Sequence, residues 1–206
     1  PAKGEERLRQ HLRTWAEARG LTTVVDRVGN LIVRKAASPG LESVPGVVLQ
    51  AHLDMVCQAN DDTPHDFSRD PIVPVLRDGW LVAEGTTLGA DNGIGVALIL
   101  AALEDRDLVH GPLEALFTID EESCMGGARG LDLEVLRGRR MLNLDTEEWG
   151  RFYLGCAGGV DVNVKRAGNP QALPDGFVGV RIDVRGLRGG HSGANIHEGR
   201  GNAIKL

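Results

Sequence analysis

Aromatic residues make up only 4% of this 206-residue chain, and cysteine occurs three times, at Cys57, Cys124 and Cys156. An odd number of widely spaced cysteines excludes a disulfide framework and fits reduced thiols in a cytosolic protein. An excess of positive charge is also missing. The formal net charge is -6 and the pI is near 5.5, which argues against nucleic acid or an anionic membrane as partner. No apolar run approaches the roughly 20 residues of a membrane span, and no signal-peptide pattern opens the chain. Phosphate-loop chemistry lacks its motifs, because there is neither G-x-G-x-x-G after a strand nor Gly-Lys-Ser/Thr. Nucleophilic catalysis lacks them too. There is no G-x-S-x-G, and no cysteine has a histidine near it in sequence. Internal repeats and low-complexity segments are absent.

What is present is ordinary for a globular protein: 42% hydrophobic and 25% charged residues, with 28 glycines to supply turns and close backbone approaches. The length suits one large domain, or one domain and part of another. Leu8, Leu12, Trp15 and Ala18 recur at helical spacing over 5–19, with Gly20 as a stop signal. Residues 23–28 and 30–34 read as a hairpin through Gly29-Asn30. The 71–83 stretch alternates well enough for short strands turning at Asp78-Gly79, and 96–103 reads as an apolar helix. Beyond the glycine-rich 155–159 passage, 160–165 and 177–185 alternate as one-sided antiparallel strands do. A domain boundary is therefore placed near Gly158, giving 1–158 and 159–206. A helix is expected from Asn202 onward. The start at Pro1 and the stop at Leu206 within that helical pattern read as cut ends.

The chain is organised around Val47-Val48-Leu49-Gln50-Ala51-His52-Leu53-Asp54, a short apolar strand fenced by Pro45-Gly46 and closed by His-x-Asp. Alternate side chains of an extended segment share a face. A carboxylate at Asp54 can therefore take the second ring N–H of a metal-bound His52. A lone pair of this kind is most often a solvent-facing strand end. Three further stretches change the balance. Asp91 follows Gly85-Thr86-Thr87-Leu88-Gly89-Ala90 at the start of a helix, where it could serve simply as a cap. Glu121 and Glu122 close the 113–119 strand behind Asp120, and Asp145 closes a buried strand at 141–145. Adjacent acids repel unless a cation sits among them. In open α/β sheets, the strand ends are where ligands bind.

One imidazole among carboxylates suits zinc, manganese or cobalt better than calcium. A bridging carboxylate can hold two divalent ions about 3.5–4 Å apart around one water. A further carboxylate that is not a ligand can take the water's proton. Neighbours at a strand end point in different directions, so Glu121 and Glu122 can divide these roles.

These stretches, with Gly155-Cys156-Ala157-Gly158-Gly159 and Gly189-Gly190-His191-Ser192-Gly193, resemble the bacterial aminoacyl-histidine dipeptidases (Xaa-His dipeptidases, peptidase D) of the co-catalytic zinc peptidase family. The resemblance covers essentially the whole chain, and the motifs fall in family order. It implies an α/β fold: a zinc-peptidase-like mixed sheet flanked by helices, followed by the first part of an α+β lid domain. It implies two divalent metal ions, zinc by preference. His52, Asp91 and Asp145 would hold one ion, and Asp91, as the bridge, would hold the other with Glu122. Asp54 would orient His52, Glu121 would be the general base, and His191 on the lid would donate to the oxyanion.

The resemblance further implies a cytoplasmic enzyme acting on small dipeptides, β-alanyl-histidine included, with no nucleic acid or membrane partner and a homodimer at full length. The family draws its last metal ligand, a histidine, from a C-terminal segment that these 206 residues do not contain, so the chain is expected to be an N-terminal portion. Two other readings stand beside this one. The same centre could serve another dipeptidase, a tripeptidase or an N-acyl amino-acid hydrolase. The chain could also be a catalytically silent binding module.

Overall fold

A computed structural model describes residues 1–206 apart from 2, 3, 147, 157, 159, 161 and 191–194. The chain divides into two compact units, Pro1–Phe152 and Tyr153–Leu206. The division falls a few residues before Gly158, where the sequence pattern changes.

The first unit opens with helix α1 (Glu6–Glu17), strands β1 (Thr22–Val25) and β2 (Leu31–Lys35), and the organising strand β3 (Val47–His52). A two-stranded hairpin, β4 (Pro74–Arg77) and β5 (Trp80–Ala83), turns at Asp78-Gly79 as the pattern predicts. Helix α2 (Ala90–Glu104), strand β6 (Leu113–Thr118), the short helices α3 (Glu121–Cys124) and α4 (Gly126–Gly130), and strand β7 (Arg140–Asn143) complete it. The main sheet has the order β1-β2-β6-β3-β7. It is antiparallel from β1 to β6 and parallel from β6 through β3 to β7. The expected mixed α/β sheet is therefore present.

Side-chain alternation divides the sheet into two faces. Leu31, Val33, Ala51, Ala115 and Phe117 pack with Leu12 and Ala16 of α1 and with Ile99 and Leu103 of α2. On the opposite face Ile32, Val48 and Leu116 pack under Leu131, Val135 and Leu136. Every residue of β6 is buried, because it lies between β2 and β3 with both faces covered. Glu114 is tolerated there because Arg34 donates to it through Nε at 2.9 Å and the amides of Arg137 and Gly138 donate at 2.7 and 2.6 Å.

Four expectations need correction. The β1–β2 connection is not a two-residue turn. Val25 pairs with Leu31, and Asp26 Oδ1 accepts from the amides of Val28, Gly29 and Asn30 at 3.1, 2.8 and 2.8 Å. This side chain competes for the backbone donors and ends the strand early. The 141–145 strand is not buried, since Met141 and Leu142 are exposed. It is the sheet edge, with β3 on one side only.

In the second unit the described residues form no strands at 160–165 or 177–185, and Val162, Val164, Val178, Val180 and Ile182 are exposed. A half-apolar strand needs a paired neighbour and a covered face, and the described part of this unit provides neither. Its regular structure is a 3₁₀ turn, Ile196–Glu198. The helix expected from Asn202 is a turn in which Lys205 N–H donates to the Asn202 carbonyl at 3.0 Å.

Candidate metal centre

The parallel ladder brings the candidate residues of the first unit together. β3 and β6 run side by side with His52 opposite Thr118, and Leu53 N–H extends the pairing to the Thr118 carbonyl at 2.9 Å. The chain leaving β3 therefore meets the chain leaving β6 at Asp54, Glu121 and Glu122. β7 flanks β3 on its other side, and Leu144 N–H donates to the Gln50 carbonyl at 2.9 Å, which delivers Asp145 to the same edge.

Asp91 arrives by a different route. Gly89 precedes α2 at φ +79°, and a Cβ there would sit 2.8 Å from Met55 Sδ, so this approach requires glycine. Asp91 itself is extended (φ -86°, ψ 110°) within the first turn, and the Asp91–Asn92 peptide is cis. Asp91 is thus not a simple cap. Its carboxylate faces the sheet edge.

His52 lies at the centre and is 1% exposed. Its Nδ1 donates to the Asp54 main-chain carbonyl at 3.0 Å. A carbonyl only accepts, so the proton of the neutral ring stays on Nδ1 and Nε2 offers its lone pair. Around Nε2 stand Asp91 Oδ1 at 3.0 Å, Asp145 Oδ1 at 3.7 Å and Glu121 Oε2 at 3.8 Å.

Two trios have donor atoms close enough to share an ion: His52 with Asp91 and Asp145, and His52 with Glu121 and Glu122. The first matches the set expected for one ion. The second joins the two glutamates around His52, whereas the resemblance pairs Glu122 with Asp91. Asp54 is buried, and its carboxylate accepts from the amides of Glu121 and Glu122 at 3.0 Å each. His191 lies outside the described residues.

The electrostatics fit a cation. Among the described residues, no lysine or arginine pairs with Asp91, Asp145, Glu121 or Glu122. Burial pushes the Asp145 carboxyl up to about 6; His52 opposes this, while Asp91 and Glu121 add repulsion. Burial and the Asp91 charge raise Glu122. Burial works against a charge on His52, but Asp145, Asp91 and Glu121 together leave its pKa above the ordinary imidazole value. A nitrogen and four carboxylates in mutual repulsion form a donor set suited to a divalent transition ion.

Asp120, the third acid of the run, does not join them. It turns away at φ 54°, and its carboxylate accepts from Ser123 Oγ and from Cys124 Sγ.

Supporting residues escaped the sequence reading. Gln50 Nε2 donates to Thr118 Oγ1 at 3.1 Å, and Asn143 donates to Gln50. Asn143 Oδ1 also accepts from Asp145 N–H at 3.1 Å. The available signal was parity for Gln50, which precedes His52 by two on β3 and so shares its strand face. A cleft of about 240 Å³ opens beside the centre, lined by Met55, Val56, Thr87, Leu88, Asp91 and Glu122.

Comparison with known proteins shows what the chain is similar to. The chain is 50% identical over its whole length to the cytosol non-specific dipeptidase of Escherichia coli K12 and spans 42% of that protein. The crystal structure of aminoacylhistidine dipeptidase from Vibrio alginolyticus superposes with a TM-score of 0.76 at 48% identity, over all of this chain and 42% of that one. Aminopeptidase PepT from Bacillus cereus matches 72% of this chain and 40% of its own, with a TM-score of 0.62 at 26% identity. The chain therefore spans less than half the length of these relatives. The sequence pattern of peptidase family M20/M25/M40 matches residues 48–191, a stretch that holds His52, Asp91, Glu121, Glu122 and Asp145. The matched stretch covers more than half of the chain, and the chain belongs to peptidase family M20/M25/M40.

Proposed function

We propose that this chain carries the metal-binding part of a dipeptidase that hydrolyses Xaa-His dipeptides, β-alanyl-histidine among them. The observation that carries this reading is the lone pair of His52 Nε2 directed at Asp91 and Asp145, with Glu121 3.8 Å away, beside an open cleft. His52, Asp91, Asp145 and Glu122 would hold two divalent ions, with zinc preferred over manganese or cobalt for a mixed nitrogen and oxygen set. When bound, such ions polarise a carbonyl and acidify water.

The chain's own residues supply the rest. Glu121, one-third exposed, accepts a proton from the attacking water and returns it to the amine that leaves as the C–N bond breaks. His191 would donate to the tetrahedral oxyanion. The second unit would begin the lid domain that carries it, with the domain boundary near Gly158. The full-length protein would be a cytoplasmic homodimer. Among the described residues, no helix is long and apolar enough to cross a membrane.

A second reading has its own support. The Escherichia coli relative is named a non-specific dipeptidase, so acceptance of residues other than histidine at the C-terminal position is the alternative. The test is hydrolysis of Ala-His, β-Ala-His, Ala-Ala and Ala-Leu by the zinc-loaded full-length protein, before and after chelation. Chelator-sensitive turnover restricted to histidine dipeptides is expected. Equal rates on all four dipeptides would favour the broader enzyme, and no turnover at all would leave a binding module.

A further inference from the structure

Asp54 lies two residues beyond His52, and its expected task is to orient that ring. The distances add a second task. The ring Nδ1 is 3.4 Å from Asp54 Oδ1 but 3.0 Å from the Asp54 main-chain carbonyl, and Nδ1 has one proton to give. Both carboxylate oxygens are engaged elsewhere: Oδ1 accepts from Glu121 N–H and Oδ2 from Glu122 N–H, each at 3.0 Å.

We propose that Asp54 is a positioning residue for the Glu121-Glu122 pair, its carboxylate fixing where both glutamates stand while its backbone carbonyl accepts from His52 Nδ1. This rests on the metal-centre reading for its consequence, though not for its geometry.

The physical case has three parts. Glu121 and Glu122 are the first residues of α3, so their amides have no partner within the helix. The helix is four residues long and cannot hold itself in place by its own ladder. Asp54 is 2% exposed, so its charge is tolerated only when both oxygens are satisfied. Two charge-assisted bonds from adjacent amides meet that need, and they tie the end of β3 to the start of α3. Rotation or retreat of the carboxylate would therefore move Glu121 and Glu122 together, and leave Asp91 and Asp145 where α2 and β7 put them.

Amide hydrogen exchange by ¹⁵N NMR on the metal-free 206-residue chain tests the contact directly, whether or not the chain binds metal. Protection of the Glu121 and Glu122 amides is expected. In Asp54→Asn one oxygen becomes an NH₂ facing an N–H donor, and protection of at least one of these amides should fall roughly 10- to 100-fold, the scale of a hydrogen bond to a charged group. Cobalt titration adds a second readout. Asp54→Asn should retain the absorption band of the position formed by His52, Asp91 and Asp145, and lose any contribution that Glu122→Gln also removes.

Random-coil exchange of both amides in the unmodified chain would overturn the proposal without any variant. Full protection of both amides in Asp54→Asn would overturn it as well. Failure of the dipeptidase reading shows separately, as absence of turnover with these amides protected.

Discussion

Glu121 and Glu122 are neighbours at the start of α3, and burial and the Asp91 charge raise the Glu122 pKa. If Glu121 shuttles protons and Glu122 ligates, Glu121→Ala should leave metal content near that of the unmodified protein while abolishing turnover. Glu122→Ala should lower metal content as well. Metal analysis after dialysis checks this, and equal loss in both variants would reverse the roles. Asp145 supplies a pH prediction. Its carboxyl is held up to about 6, and it must be ionised to ligate. Zinc affinity should therefore fall as pH drops through that value, by up to about tenfold per unit for each competing proton, and His52, whose raised pKa also demands deprotonation, extends the decline to higher pH. Competition titrations between pH 5 and 8 measure it. Replacement of Asp145 by Asn should flatten the profile.

Between elements, the decisive contact is Asn30, which is fully buried. Its Nδ2 donates to Asp26 Oδ2 at 2.8 Å and to the Gly127 carbonyl at 2.9 Å, and its Oδ1 accepts from Ile119 N–H at 3.2 Å. One side chain thus closes the β1–β2 turn and clamps the segment carrying Glu121 and Glu122. Gly127 leaves room for it, since a Cβ there would stand 2.4 Å from Asn30 Oδ1 and 2.5 Å from the Ile119 carbonyl. Asn30→Ala strands several buried polar groups, each worth roughly 1–3 kcal/mol when unsatisfied. A loss of about 3 kcal/mol in urea unfolding is expected, together with weaker metal binding. A loss below about 0.5 kcal/mol would mean that water replaces the side chain.

For the first unit as a whole, the buried Arg34–Glu114 pair links sheet stability to pH. Burial alone would raise the Glu114 pKa, but the Gly138 amide, the Arg34 guanidinium and the Arg137 amide together hold it below the ordinary 4.5. A depressed carboxyl stabilises the fold above its unfolded-state pKa, and that contribution is lost as pH falls from about 4.5 through the folded value. Stability should therefore decline with acidification in that window. Glu114→Gln should be less stable at neutral pH by roughly 3 kcal/mol, the scale for removing one partner of a buried pair, and should show a shallower acid limb. Chemical unfolding at several pH values reads both.

Much of this was legible in the sequence because it depends on local order. Strand β3 with its His-x-Asp ending, the turn at Asp78-Gly79, and carboxylates closing successive apolar runs all follow from alternation, turn chemistry and spacing along the chain. The same patterns indicated the set of His52, Asp91, Glu121, Glu122 and Asp145 at the strand ends of an α/β sheet, and the resemblance to the zinc peptidases implied that the sheet is mixed. What only the tertiary structure decided depends on partners distant in sequence. The Asp54 carboxylate accepts from the amides of Glu121 and Glu122, 67 and 68 residues away. Asn30 reaches across 97 residues to Gly127. Among the described residues β7 has only β3 beside it and its side chains stay exposed, and the alternating 177–185 segment forms no strand there either. Alternation records which face of a strand is apolar, but whether that face is covered depends on a neighbour that local sequence does not specify.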